Sequence, residues 1–153
     1  MEAALLSRVK NTRSALREQQ IATIFNEFDE QCMQLTDEQR VEKYKKMLES
    51  PFRFYRGSAY LFYYDVTKTP SIFHTIDTRP TWIMGDMHMD NFGAFQNEKG
   101  EIVYDVNDFD EGYVGSYLYD LIRMSVSIGL YMDEQQMDET AQQQVIQAFL
   151  SSY

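Results

Sequence analysis

The feature that most constrains this chain is where its charge falls. Residues 86–120, from Asp86 to Asp120, hold nine carboxylates against a single base, Lys99. The whole chain has 14 basic and 24 acidic residues, a net charge of −10, so 1 − 9 = −8 of that charge lies in this one stretch. The same region is interleaved with Trp82, Ile83, Phe92, Phe95, Val103, Val106 and Phe109. Carboxylates set among strand-type apolar residues are expected to be partly buried, and a buried carboxylate needs a cation or hydrogen-bond donors. The pattern therefore reads as a clustered functional site rather than as a solvated acidic face.

The other 118 residues set the boundaries of that reading (153 − 35 = 118). A chain of 153 residues suffices for one core, and 44% apolar with 14% aromatic composition excludes a disordered segment. The acidic balance argues against a nucleic-acid partner, because such binding rests on Lys and Arg neutralising phosphates. Cys32 stands alone, so no internal disulfide forms and a reducing compartment is expected. No apolar run reaches the roughly 18 residues of a membrane span, and Met1-Glu2 opens no signal segment. A cytoplasmic protein without membrane partners is the expectation.

The first 48 residues read as helical. Leu5, Leu6, Val9, Leu16, Ile21, Ile24, Phe25 and Phe28 fall at three- and four-residue spacings with no Pro or Gly between them. Thr36 and Gln39 form a capping-box pattern that starts a second helix, which Pro51 is expected to end. An aromatic and basic segment, Phe52–Gly57, leads into Ser58–Val66. There Tyr60, Phe62 and Tyr64 suit a strand and Ser58 as an N-cap suits a helix; the helix is preferred. Residues 67–80, with Pro70 and Pro80, read as loop. Thr81–Met84 reads as a short strand, and Phe92–Gln96 and Glu101–Val106 as a hairpin turning at Asn97–Gly100. Gly112 and Gly115 mark a loop. Helices are expected over Tyr117–Met132 and from about Asp138 onward. The fold class is thus α+β and mainly helical, one unit over residues 1–153. It divides into a helical lead-in (1–50), the acidic β-loop region (51–132) and a last helix (133–153).

The chemistry concentrates in Gly85-Asp86-Met87-His88-Met89-Asp90-Asn91 and, past the hairpin, Asn107-Asp108-Phe109-Asp110-Glu111-Gly112. A hard cation such as Mg²⁺ takes oxygen ligands, usually one or two carboxylates completed by substrate phosphates and water. A loop bearing Asp86 and Asn91, with Asp108 just after a strand, can converge on such an ion. Asp86 is then a general base toward a hydroxyl, acting by position more than by basicity. His88 reads either as a metal ligand or as a loop-holding side chain, and His74 has no partner visible in sequence. Arg56, in Tyr55-Arg56-Gly57, either holds a phosphate or pairs with an acidic-loop carboxylate. Arg123, three residues after Asp120, reads as a structural partner. One Cys and two His argue against a structural zinc site.

These motifs resemble the catalytic and metal-binding arrangement of protein kinases. They resemble the aminoglycoside phosphotransferase branch more closely, since Gly85-Asp86-x-His88-x-x-Asn91 is followed by Asp108-Phe109-Asp110 and Tyr119-Asp120-Leu121. More narrowly, four segments in order resemble a bacterial family of unknown function, number 2252: Ser50-Pro51-Phe52, Phe54–Gly57, Gly85–Gly93 and Asn107–Glu111. The resemblance implies the catalytic, C-terminal lobe of a kinase-like fold, with a small β-hairpin around the catalytic loop. It implies Asp86 as catalytic base, Asn91 and Asp108 as metal ligands, and Asp120 as the buried aspartate bracing the loop. Asp110 stands where kinases have Gly, and its carboxylate is either a second metal ligand or a change in ion preference. Arg56 and His88 are assigned to the cofactor side, the cofactors being Mg²⁺ and ATP.

The chain departs from the kinase pattern in lacking any G-x-G-x-x-G segment or a strand-borne Lys ahead of the loop. The resemblance places such parts C-terminal to this region, so the chain is expected to be the N-terminal portion of a longer protein. The expected function is Mg²⁺-dependent transfer from ATP to an unknown small-molecule or protein hydroxyl. A metal-dependent hydrolase and a non-catalytic kinase-like interaction module are the alternatives.

Overall fold

Local capping chemistry sets the boundaries of the helical half. The computed structural model describes residues 2–68, 73 and 80–153, so His74 and Pro70 lie outside the described residues. Helix α1 (Glu2–Glu27) passes into one wider π turn at Phe28–Cys32, and the chain reverses at Gln34 with φ 51°. Thr36 then opens α2 (Asp37–Met47) with the expected capping box: its hydroxyl accepts from the Gln39 amide at 3.3 Å, and the Gln39 side chain accepts from the Thr36 amide at 2.9 Å.

Pro51 does not end that helix, which stops at Met47. It sits in the first turn of α3 (Pro51–Arg56), capped by the Ser50 hydroxyl, which accepts from the Arg53 amide at 3.1 Å. Pro suits this place because the first turn leaves its missing N–H unneeded. The aromatic and basic segment is therefore helical. Helix α4 (Ala59–Val66) confirms the preferred reading of that stretch, but Ser58 does not cap it; its hydroxyl donates to the Phe54 carbonyl at 2.6 Å.

The strands form two separate antiparallel pairs. β1 (Thr81–Ile83) pairs with β4 (Tyr113–Gly115) in the register Thr81↔Gly115 to Ile83↔Tyr113. Strand β4 occupies the stretch read as loop from Gly112 and Gly115, where two glycines conceal three residues of strand. β2 (Phe92–Gln96) and β3 (Ile102–Val106) form the expected hairpin, from Phe92↔Val106 to Gln96↔Ile102. Its turn is set by the Asn97 side-chain oxygen, which accepts from the amides of Lys99 (2.9 Å) and Glu101 (3.0 Å), with Gly100 at φ 79°. Helices α5 (Tyr117–Glu134) and α6 (Glu139–Ser152) follow, the latter capped by Asp138. The result is a mainly helical α+β fold, and among the described residues no helix is long and apolar enough to cross a membrane.

Two apolar clusters hold these elements. One joins Met84 and Met87 to Met124, Ile128 and Met132 of α5, with Phe92, Val106 and Phe149 packed against it. The methionines thus serve as core filling, as their flexible thioethers allow. The other joins Phe25, Met47 and Leu61. Beside it Asp29, fully buried, accepts from Lys43 Nζ and Tyr44 Oη, each at 2.6 Å. The helical spacing of α1 does not bring its first turns into this core: Leu5, Leu6, Val9 and Leu16 are all exposed, and Phe25 is the buried residue of α1.

The two glycines Gly85 and Gly129 separate local requirement from tolerance. Gly85 has φ 84°, and a Cβ there would run into the Glu111 carbonyl, whereas a Cβ at Gly129 meets nothing within 4 Å. Gly85→Ala is expected to lower stability by about 2 kcal/mol or more, since the left-handed conformation alone costs about 1–2 kcal/mol. Gly129→Ala, inside α5, is expected to raise it by about 0.5–1 kcal/mol. Urea unfolding midpoints of the two variants check both signs.

Candidate functional site

The loop from Met84 to Asn91 is built against one face of α5. Asp120, Arg123 and Ser127 follow one another at three- and four-residue spacing, so they project from the same side of the helix. All three are buried, and each holds a different point of the loop. The Asp120 carboxylate accepts the amides of Met84 at 2.7 Å and Gly85 at 3.3 Å. Arg123 donates to Asp86 Oδ1 from Nε at 2.9 Å and again from Nη2. The Ser127 hydroxyl accepts the Met89 amide at 3.0 Å. Asp120 thus braces the loop from the following helix, as the sequence resemblance implied.

Asp86 is the most elaborately held side chain of the loop. Its carboxylate pairs with Arg123 through Oδ1, and His88 Nε2 stands 3.5 Å from Oδ2. Its backbone carbonyl accepts from Asn91 Nδ2 at 2.6 Å. Burial pushes the Asp86 carboxyl up, but the His88 hydrogen bond and the Arg123 charge outweigh burial and leave it below its ordinary 3.8. Arg123 has no exposed side-chain surface; its Nη2 also donates to the Tyr55 carbonyl at 3.2 Å, and its guanidinium lies 4.6 Å from the Tyr55 ring centroid. Burial raises that phenol to about 12. Burial is also the main reason the Asp120 carboxyl lies above its ordinary range, against the pull of the two amides.

The remaining sequence-selected residues divide into two groups. Asp86, His88 and Asp108 line one cleft of about 600 Å³, together with Lys43, Lys46 and Arg56 of α2 and α3. Arg56 takes the second of its two anticipated roles, pairing with Asp90 at 2.8 Å. Asn91 is buried behind the loop, and Asp110 is exposed with its amide 3.4 Å from Asp108 Oδ1; neither lines the cleft. Among the described residues, no group of three or more His, Cys, Asp or Glu side chains is arranged to hold a metal ion by itself.

The expectation that the carboxylates of the acidic stretch are partly buried holds for two of the nine. Asp120 is buried and Asp86 largely so, whereas Asp90, Glu98, Glu101, Asp105, Asp108, Asp110 and Glu111 are exposed. Trp82, Phe95 and Phe109 are exposed beside them. Two-stranded ribbons have too few neighbours to cover these side chains, however apolar the strands. Sequence reasoning also missed that Arg123 holds Asp86 itself. Its signal was the polar triplet Asp120, Arg123 and Ser127 on one face of an otherwise apolar helix.

Residues 36–153 match the model of a family described as an uncharacterized protein conserved in bacteria, DUF2252. The chain belongs to that family. The matched span covers α2 through α6 and every residue of the loop and cleft, while α1 lies outside it. No curated protein and no solved structure matches the chain.

The Asp86–Arg123 pair generates a prediction with a definite sign. A carboxylate whose folded value is depressed contributes stability that is complete above its unfolded value and is lost as pH falls through the folded one. Asp86 therefore costs the protein nothing near neutrality and weakens it only below 3.8. In Arg123→Met burial is left with a weaker counterweight, so the carboxyl is expected to titrate higher than in the parent protein and its stabilising contribution at neutral pH to shrink. Carbon NMR of the Asp86 carboxyl against pH measures the shift; an unmoved midpoint contradicts the assignment.

Proposed function

We propose that this protein of the DUF2252 family is a kinase-like phosphotransferase segment, acting with Mg²⁺ and a nucleoside triphosphate on a hydroxyl acceptor. The observation that carries the reading is that Asp86 and Asp108 face one cleft whose lining also includes Lys43, Lys46 and Arg56. Carboxylates and cations around one cavity of this size suit a phosphate-bearing ligand accompanied by a hard metal ion.

The donor chemistry fits Mg²⁺. Asp108 supplies an exposed carboxylate in the cleft. Asn91 lies outside the cleft lining and commits its Nδ2 to the Asp86 carbonyl, so it supports the loop rather than facing the ion. The bound metal would neutralise charge on the phosphates. Lys46 and Arg56 would orient the phosphate chain, and Asp86, fixed by Arg123 and Asn91, would position an acceptor hydroxyl and take its proton.

One observation favours a second reading. The Asp86 carboxylate is tied to a fully buried arginine and depressed in basicity, which suits a structural acid in a non-catalytic interaction module. The two readings differ in what Asp108→Ala and Asp86→Ala do. For a phosphotransferase, calorimetry with ATP and Mg²⁺ should show metal-dependent binding that Asp108→Ala abolishes. Asp86→Ala should retain binding and lose transfer by about 10²-fold or more, the usual scale for a positioned base. Unchanged turnover in Asp108→Ala overturns the phosphotransferase assignment. Absence of Mg²⁺-ATP binding, with a protein partner whose binding survives both substitutions, establishes the interaction module instead.

A further inference from the structure

A second cavity, of about 580 Å³, opens beside the Asp86 loop and shares no lining residue with the cleft described above. Its chemistry is distinctive. Tyr60, Tyr63, Tyr64 and Tyr113 line it with Glu27 and Glu111, and among the described residues no Lys or Arg lines it. The volume lies within the range of small-molecule sites, which combine aromatic walls with a few polar groups.

The electrostatics of such a lining are predominantly negative. Aromatic rings present a negative face, and two carboxylates add formal negative charge. Of the two ammoniums that touch these rings, Lys43 is neutralised by Asp29 and Lys68 remains, so the balance favours a cation over an anion. Two of these rings already contact the protein's own ammonium groups: Lys68 Nζ lies 3.4 Å from the Tyr64 ring centroid, and Lys43 Nζ, which also pairs with Asp29, lies 4.8 Å from that of Tyr60. Both distances are within cation–π range. The walls are also fixed. Tyr60 stacks on Phe28 at 4.1 Å, Tyr63 packs edge-on to Tyr113 at 5.7 Å, and all four tyrosines are half-buried. Rings held this way lose little freedom when a ligand arrives.

We propose that this cavity is a binding site for an organic cation, an ammonium carried on an apolar or aromatic body. The ammonium sits among the tyrosine rings with Glu27 and Glu111 as counter-charges. The cavity adjoins the loop directly: the Tyr63 hydroxyl donates to the Gly85 carbonyl, one residue before Asp86, and the Glu111 backbone packs against Gly85. Identifying the bound molecule as the hydroxyl acceptor rests on the phosphotransferase reading; the binding of a cation does not.

The test is an NMR titration of the protein, without nucleotide or metal, using three probes that share a benzyl or phenyl body: benzyltrimethylammonium, benzyl alcohol and benzoate. The cation is expected to give saturable shifts of the Tyr60, Tyr63 and Tyr113 resonances, with benzyl alcohol about tenfold weaker and benzoate silent. Glu27→Gln combined with Glu111→Gln, a change that preserves shape, is expected to weaken the cation by about tenfold and leave benzyl alcohol unchanged. Tyr64→Leu should weaken it by about 3- to 30-fold. Equal affinity for all three probes, cation binding indifferent to the paired glutamine variant, or no saturable shift up to the solubility limit each overturns the proposal. Because the titration omits ATP and Mg²⁺, its failure leaves the phosphotransferase reading standing, and the failure of that reading leaves the cation site standing.

Discussion

Everything at the loop depends on one face of α5 that is polar and buried at once. Asp120 and Arg123 are 3% and 0% exposed, so each charge has lost most of its hydration. A buried charge is tolerated only when its partners replace that water. Asp120 replaces it with the amides of Met84 and Gly85, and Arg123 with the carboxylate of Asp86 and the carbonyl of Tyr55. Satisfying α5 therefore dictates the path of the loop. The adjacent face of the same helix, with Met124, Ile128 and Met132, supplies the apolar contact that keeps the two elements together. Packing brings the loop to the helix, and the polar face sets its register.

This arrangement gives Asp86 a double role. Its Oδ1 is spent on Arg123, while Oδ2 stands near His88 and the residue lines the cleft. Arg123 Nη1 and His88 Nδ1 are buried without a hydrogen-bond partner among the described residues. Two unpaired nitrogens on the side chains that flank one carboxylate leave this region of the core short of hydrogen bonds, and such places are commonly functional. Orientation rather than raised basicity is what the protein provides at Asp86.

Most of the fold was legible because local chemistry decides it. The Thr36–Gln39 capping box, the Asn97–Gly100 turn and the start of α6 at Asp138 need only near neighbours in the sequence. The misreadings share a cause as well. Pro51 has the residue type of a stop, but Ser50 ahead of it makes it a start, and Gly112 and Gly115 have the look of loop because pairing of β4 with β1 is a long-range event. Partial burial of the acidic stretch is confined to Asp86 and Asp120 for the same reason, since apolar neighbours in sequence cover a carboxylate only if a further layer packs on them. At the site, Asp86, His88 and Asp108 were legible from residue type and spacing. The grip of Arg123 on Asp86 was not, because it joins residues 37 apart.

The central claim is that Arg123 and Asp86 act as one buried pair that fixes the loop. A double-mutant cycle of Asp86→Asn, Arg123→Met and their combination, read by urea unfolding, measures that coupling directly. Breaking one side of a buried pair costs about 3–5 kcal/mol because the other charge is stranded, and removing both relieves it. The account predicts a coupling energy of about 2 kcal/mol or more, with the double variant no less stable than Arg123→Met alone. Losses that add to within about 0.5 kcal/mol would show two independent residues and contradict it.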